Sequence, residues 1–467
     1  MKKYLLFLYL FLCSTGITMA QNQYWEHPGI DFSNAVEVMY YDSLTEKSYI
    51  GGSFTQVNGA PCKLLVYDGQ NYTPFPVLPP VSVGNLRSIV RYHDKLYVCG
   101  YGTTLASWDG NAWEVIDTGS YFNLKVWGDK LYAMGFNDPN SMVLHQGGIG
   151  VWNDTSWTGL LGIDSIIPGS GWAVNDIAFY KDKVYVGGNW HNEAKPWLSD
   201  FMMHDGQAWQ QVGNWGGSAM GSVNRLLVWR DTLYVAGAFV ESPLVPGNGI
   251  AAWDGQEWHR LQRGVRGLSE AGTAVFDLNV YRDELWVGGY IPIINGRYVN
   301  DNYGKVAKWD GSQWCTMDTW LRSGVLGIGR WKDELFLLGG FSLQDDFSKK
   351  SLLKWTGGNY TDTCNQDFTV GVHQLTAQNS LNMMLYPNPH KEQCMLSYMN
   401  EGALSTHKKI RIVLADLSGR TMFAREQRPV YGKNELLIPT QTLQAGVYFL
   451  RLIADGNVLG QLKMVKE

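Results

Sequence analysis

The segment IAAWDGQEWHRL, residues 250–261, places a carboxylate, an imidazole and two indoles within a few positions of one another. Asp254 and His259 could pass a proton between them, and Trp253 and Trp258 could stack on a sugar ring, which is the equipment of a glycoside-cleaving site. The same phrase returns as LASWDGNAWEVI around Trp108, GIGVWNDTSWTGL around Trp152, DFMMHDGQAWQQV around His204 and KVAKWDGSQWCTM around Trp309. Looser copies are LLVYDGQNYTPF around Tyr67 and LLKWTGGNYTDT around Trp355. A reacting group is needed once per site, whereas a phrase that recurs in every copy of a repeat is a building part. His259 has no counterpart at its place in the other copies. The phrase therefore reads as architecture, and function must be sought in what the copies do not share.

Each copy has a front half as well. VRYHDKLYVCG, KVWGDKLYAMG, AFYKDKVYVGG, LVWRDTLYVAG, NVYRDELWVGG and GRWKDELFLLGG follow one another, and MYYDSLTEKSYIGG opens the series with a longer turn. The unit is thus strand, charged Asp turn, strand, Gly-Gly, variable segment, strand, Asp-Gly turn, and a last strand that starts at Trp. Gly52, Gly100, Gly135, Gly188, Gly237, Gly289 and Gly340 mark a period of about 48 residues. Four short strands per period describe a propeller blade. Asp-Gly favours a tight hairpin, because Gly takes positive φ without cost and Asp bonds nearby amides. Tryptophans at fixed repeat positions are wedges between blades. The pattern LYVGG, variable segment, WDGxxW resembles the kelch-like propeller repeats over residues 34–362, departing from them in placing Trp-Asp-Gly at the third strand. The expected fold is all-β, a seven-bladed propeller. QYWEHPG, with Trp25 matching Trp258, reads as a stray final strand that could clasp the ring and protect its edges.

After Cys364 the repeat stops. Residues 364–380 read as a polar linker, and 381–467 carry short strands without blade signatures, suiting a small immunoglobulin-like β-sandwich. LYPNP at 385–389, DLSGR at 416–420, LQAGVYFLRL at 443–452 and the terminal KMVKE closely resemble the type A C-terminal sorting domain of the type IX secretion system. The resemblance implies export by a Gram-negative bacterium of the Bacteroidota type. It also implies type IX machinery as a partner and a cargo released or attached to the outer-membrane surface. Tyr386, Pro387, Asn388, Pro389, Gly419, Gly446 and Tyr448 carry the match.

Two lysines, a short apolar run and Thr18-Met19-Ala20 at the N-terminus read as a signal peptide, residues 1–20, cleaved between Ala20 and Gln21. Residues 21–363 are then the propeller. No later segment is apolar enough to span a bilayer as a helix. The net charge of -5 gives no reason to expect nucleic acid or an anionic membrane as a partner. Cys62 with Cys99, and Cys315 with Cys364, are conceivable disulfides, and Cys394 has no evident role. No Cys/His spacing suggests zinc.

In a four-stranded meander the first and third hairpins point to one end of the ring, and the variable segments and blade links to the other. Ligand sites usually lie on such variable loops. The aromatics there that lie outside the repeat are Trp172, Trp190, His191, Trp197 and Trp215 around blade 4. Tyr290, Tyr298 and Tyr303 lie in YIPIINGRYVNDNYG, and Trp320 in the link between blades 6 and 7. They would suit sugar faces or peptide backbones, or cap the cores of their own loops. Asp138, Asp164, Glu193, Asp200, Glu241, Glu270 and Asp301 are acids at the same end. Galactose oxidase shares a kelch-like propeller but needs two tyrosines and two histidines on copper with a Tyr-Cys crosslink, and the nine histidines here are scattered. The Asp-Gly turns also miss the sialidase Asp-box spacing. The expectation is a monomeric, non-catalytic binding or adhesion protein with a glycan or protein ligand, without cofactor or metal. A carbohydrate-active enzyme, glycosidase or galactose-oxidase-like, and a structural surface protein are the alternatives. An enzyme should show two carboxylates or a metal cluster at the mouth of the central channel.

Overall fold

The computed structural model describes residues 24–466 apart from 81–85, 139, 145–146, 168–170, 217–220, 243–245, 267–273, 296, 299–304, 318–320, 344–350, 358–382, 387, 389–392, 401–408, 417–419 and 455–456. The signal peptide with Ala20 and Gln21, the 364–380 linker, Glu270, Asp301, Tyr303, Trp320, Pro387, Pro389 and Gly419 lie outside the described residues, as does the side chain of Tyr298. The chain divides into two units, Met1–Asn365 and Gln366–Glu467.

Within the first unit the described residues form seven four-stranded antiparallel sheets, six of them in simple meander order. Their first strands are Val36–Asp42, Leu86–Tyr92, Tyr121–Trp127, Ala173–Tyr180, Val223–Trp229, Ala274–Tyr281 and Val325–Trp331. Each packs beside the next, and the last packs beside the first, so these strands ring a central channel. The seventh sheet takes its outermost strand from the other end of the chain: Trp25–Glu26 pairs with Leu352–Trp355, Trp25 opposite Trp355. This is the clasp expected from QYWEHPG. Trp25 is buried, its ring 4.8 Å from Trp355 and 6.4 Å from Trp286.

The Gly-Gly pairs explain how blades close on one another. Every first strand carries a β-bulge near its start, between Val174 and Asp176 in blade 4. A Cβ on Gly188 would stand 2.1 Å from the Ala173 carbonyl at that bulge. One on Gly187 would stand 2.3 Å from Val223, which inserts from blade 5. Neither position has room for a side chain. In blade 7 the bulge partner is Gly339, not the expected Gly340, because Val325 pairs with Gly339.

The wedge reading of the tryptophans holds. Trp108–Trp113, Trp152–Trp157, Trp253–Trp258 and Trp309–Trp314 pack with ring centroids 5.1–5.4 Å apart. The second indole of a pair donates its N–H backwards along the ring: Trp258 to the Val212 carbonyl at 3.0 Å, Trp314 to that of Leu261 at 2.8 Å. Cys62 and Cys99 are buried free thiols, so that pairing does not form. Cys315 is disulfide-bonded, and its expected partner, Cys364, is outside the described residues.

The second unit is a sandwich of a three-stranded sheet (Met384–Tyr386, Gln393–Asn400, Gly432–Pro439) and a four-stranded one (Thr421–Gln427, Ile410–Ala415, Gly446–Ala454, Asn457–Lys466). Its core includes Leu396, Tyr398, Ile412, Leu414, Ile438, Leu450 and Met464, with the thiol of Cys394 buried among them. Among the described residues no helix is long and apolar enough to cross a membrane.

Trp25→Ala should remove the main contact of the clasp. It is expected to cost about 3 kcal/mol of propeller stability, as large aromatic truncations do. Denaturant unfolding followed by tryptophan fluorescence checks it, and an unshifted midpoint would show that the ring closes without this strand.

Candidate binding site at the mouth of the central channel

The repeated Asp-Gly turns hold their carboxylates on backbone amides. Asp254 Oδ1 accepts the backbone N–H groups of Gln256 and Glu257, each at 2.7 Å, and Oδ2 lies 2.6 Å from His259 Nε2. The Glu257 amide first, and then His259, hold the Asp254 carboxyl well below the usual carboxylate range. Asp109, Asp205 and Asp310 cap their turns in the same way. These carboxylates are committed to turn amides.

The channel wall carries a second set of charges. An innermost strand is a sheet edge, so some of its N–H and C=O groups face the channel and need partners. Side chains from alternate blades supply them. Ser88 Oγ accepts the Leu124 N–H at 3.0 Å, Asp176 Oδ2 that of Leu226 at 2.8 Å, and Asp277 Oδ2 that of Ile328 at 2.8 Å. The carboxylates are then neutralised: Lys125 lies 2.8 Å from Asp176, and Arg225 2.9 Å from Asp277. Asn175, Asn224 and Asn279 donate to the Val223, Val275 and Ile328 carbonyls. The girdle laces blades 2 to 7 together, and both aspartates are occupied by it.

At the variable-loop end the channel opens into a cavity of about 520 Å³ lined by Glu37, Arg87, Phe122, Asn224 and Phe276, among others. Here the lacing is looser. The Glu37–Arg87 contact is 3.4 Å, and burial pushes the Glu37 carboxyl up against the opposing pull of Arg87. The Arg87 guanidinium lies 6.0 Å from the centre of the Tyr101 ring and 5.8 Å from Phe122. Tyr101 stacks on Phe122, centroids 6.0 Å apart, and Phe136 meets Phe122 edge-on at 5.0 Å. Tyr101 keeps 49% of its surface exposed. The result is a half-open aromatic shelf with a guanidinium above it, at the rim of a polar channel.

The aromatics singled out in the sequence are placed differently. Trp190 is buried in the core shared by blades 3 and 4, its indole N–H donating to the Leu198 carbonyl at 2.7 Å. Trp215 is buried between Phe201, Phe239 and Trp258. Trp172 is half-buried against the core that holds Trp190. Trp190 and Trp215 offer no free ring face; around Trp190 the long blade-4 segment folds back through the 3-10 turn Pro196–Leu198 and builds a core of its own. His191 Nδ1 lies 3.3 Å from Ser199 Oγ. Trp197 is 47% exposed on the outside of that loop, and Tyr290 is half-buried at a strand end. Among the described candidates Trp197 is thus the most exposed ring, while Trp190 and Trp215 belong to the core.

Among the acids, Glu241 is paired with Arg260 at 2.6 Å and Asp138 accepts the Asn140 amide at 2.9 Å. Asp164 and Glu193 are exposed. Asp200 is buried and accepts the Trp190 N–H at 3.1 Å. Burial pushes its carboxyl up to about 7. Among the described residues no cluster of three or more His, Cys, Asp or Glu could hold a metal.

Sequence reasoning missed Arg87, Tyr101, Phe122 and Phe136. A signal was present: the bulged residue itself runs Glu37, Arg87, Phe122, Asn175, Asn224, Phe276, Leu326, changing in character inside an otherwise regular repeat.

In the sandwich, the side chain of Asn388 clamps the final strand. Its Nδ2 donates to the Lys463 carbonyl and its Oδ1 accepts the Val465 N–H, both at 2.8 Å. Tyr448 donates its hydroxyl to the Gln444 carbonyl at 2.8 Å, and Tyr386 is half-exposed beside Glu435.

Residues 384–467 match the family described as the secretion system C-terminal sorting domain. The chain therefore carries a type IX sorting tail and is a secreted or cell-surface protein. No curated protein matches the sequence significantly. Similar solved structures include YCF48 bound to a D1 peptide, at 15% identity and a TM-score of 0.43 over 71% of this chain and 95% of that one. The computationally designed Ika8 protein is 12% identical, with a TM-score of 0.41 over 69% of this chain and 96% of that one. The propeller domain of the Trilobed protease from Pyrococcus furiosus is 10% identical, with a TM-score of 0.40 over 73% and 99%.

Two predictions follow from these side chains. The folded state keeps a proton on Asp200 that the unfolded chain, with an ordinary value of 3.8, has lost. Its stabilising contribution is therefore greatest in acid and declines as pH rises from about 4 to 7. Asp200→Asn keeps an acceptor for the Trp190 N–H. Above pH 7 the variant should be more stable than the parent by about 1 kcal/mol or more. Unfolding midpoints at pH 5 and pH 8 check this, and an equal parent-to-variant difference at both would refute it. Asn388→Ala should speed amide exchange at Val465 by about tenfold, a lost pair of hydrogen bonds, with strand Ile410–Ala415 as the internal control.

Proposed function

We propose that the protein is a surface-delivered recognition module that binds its ligand at the variable-loop mouth of the propeller without transforming it. In this reading residues 1–20 are a signal peptide, 21–363 a kelch-like ring, 364–380 a linker and 381–467 the tail read by the type IX machinery. The observation that carries the reading is Arg87 above the half-exposed Tyr101 and Phe122 at the rim of the channel. Flat faces beside a guanidinium favour a glycan or a peptide segment that offers both a stacking surface and a carboxylate or other acceptor. Catalysis by paired acids is disfavoured because Asp176 and Asp277 are each spent on a cation and a backbone amide. Trp197 would extend the same face outward.

The test is retention of the full-length chain on a panel of glycans and peptides, read together with the mass of the recovered ligand. Tyr101→Ala is expected to reduce retention at least about tenfold, the order of a lost stacking contact, while unfolding is little changed. Equal retention by parent and variant, or a ligand of altered mass, would sink the proposal.

A further inference from the structure

The opposite end of the ring looks uniform in sequence, but blade 1, with its longer turn after Tyr41-Asp42, and blade 3 depart from it, and at blade 3 the departure leaves an exposed ring. The first hairpin of blades 2, 4, 5, 6 and 7 follows one rule. An aromatic ends the first strand, and the next residue is basic: Tyr92-His93, Tyr180-Lys181, Trp229-Arg230, Tyr281-Arg282 and Trp331-Lys332. The basic group covers its neighbour's ring. Arg230 is 4.4 Å from the Trp229 ring centre, Lys332 5.0 Å from Trp331, Lys181 and Arg282 5.1 Å from theirs, and His93 stacks on Tyr92 at 4.1 Å. These residues hold left-handed backbone, φ 47–49°, a conformation that glycine would adopt without steric cost.

Four of them also reach the next blade. Lys181 lies 3.2 Å from the Asp231 carboxylate and donates to the Asp254 carbonyl at 2.6 Å. Arg230 lies 2.6 Å from Asp283 and donates to the Asp310 carbonyl at 3.0 Å. Lys332 pairs with Glu46, and His93 faces Asp154. The aromatics donate across the same junctions, Tyr180 to the Asp231 carbonyl at 2.6 Å and Tyr281 to that of Asp333 at 2.7 Å.

Blade 3 breaks the rule: its pair is Trp127-Gly128. Trp127 is 54% exposed, where Tyr92, Tyr180, Trp229 and Tyr281 are buried. It lies flat on Phe179 of blade 4, centroids 5.0 Å apart and planes 8° from parallel. It lines the turn-end part of the channel, a cavity of about 650 Å³, together with Val126, Phe179 and Val228. The acceptors that Lys181 and Arg230 use have counterparts in blade 4, the exposed Asp182 and the carbonyl of Asp205. None of the ion pairs among the described residues involves Asp182. Glycine contacts agree: Lys181 covers Gly255 and Arg230 covers Gly311, whereas a Cβ on Gly206 would meet nothing within 4 Å, as at Gly110, where blade 1 also supplies no basic residue.

We propose that this junction is a second binding site, which receives a lysine or arginine side chain of a protein partner between Trp127 and Asp182. The seat has the chemistry that the protein's own blades fill with a cation: an aromatic face, a carboxylate and a carbonyl. It lies at the end of the ring away from the Tyr101 shelf, so the two sites are independent.

The experiment uses the full-length chain labelled with 5-fluorotryptophan, the Trp127 resonance being assigned by its loss in Trp127→Phe. N-acetyl-arginine amide is the probe, and N-acetyl-citrulline amide is its uncharged counterpart. Arginine amide should shift the Trp127 signal in a saturable way. Citrulline amide should bind at least about threefold more weakly, the low end of a cation–π contact. Asp182→Asn should weaken the arginine response, and Tyr101→Ala should leave it unchanged. Gly128→Arg supplies the cation internally, at a backbone position where five other blades already carry a basic residue, and should abolish the response. A Trp127 signal that does not move, moves equally with citrulline, or still titrates in Gly128→Arg would overturn the proposal.

Discussion

A four-stranded blade cannot bury both of its faces, and the rest of the propeller follows from that constraint. Each blade covers the apolar face of the next, and the chain must then return to cover the last. The return is made by Trp25–Glu26, whose pairing with Leu352–Trp355 joins residues more than three hundred positions apart. The local devices serve the same end. Gly187 and Gly188 let a bulge and a neighbouring valine approach the blade backbone. The second indole of the Trp-Asp-Gly phrase reaches back for a carbonyl of the preceding blade.

Closing a ring creates an inner edge of strands, and that edge sets the electrostatics of the channel. Its amides are met by Ser88, Asp176 and Asp277, and the buried Asp176 and half-buried Asp277 carboxylates then require Lys125 and Arg225. A buried carboxylate without such partners would be expelled or protonated. The groups that most suggest acid chemistry are therefore the ones the fold consumes. In the proposed reading, the surface left for recognition lies where the lacing is incomplete. At one end that is the loosely held Arg87 above Tyr101 and Phe122; at the other it is Trp127, which lacks the cation its counterparts carry.

The sandwich obeys a different economy. Its sorting motif is built into the fold, since Asn388 ties the last strand of the chain through two hydrogen bonds. Tyr386 and Asn388 stand near the surface while the core is filled by alternating residues of both sheets. Asn388, which carries the family match, thus also secures the final strand.

Much of this was legible in the chain itself. Four strands per repeat, Asp-Gly turns, wedge tryptophans and the stray strand at Trp25 depend on periodicity and on local turn chemistry, which a linear sequence records directly. The sorting tail was equally plain, because its motifs stand in fixed order. Tertiary packing decided the rest. Trp190 and Trp215 stand in loops yet are buried, since a long loop must build a core before it can present anything. Cys62 and Cys99 stay apart because their blades hold them there. Arg87, Tyr101, Phe122 and Phe136 come from separate strands and meet only when blades 2 and 3 are set side by side. Repetition writes the scaffold into the sequence many times over, while a binding surface arises once, from single residues that only the closed ring brings together.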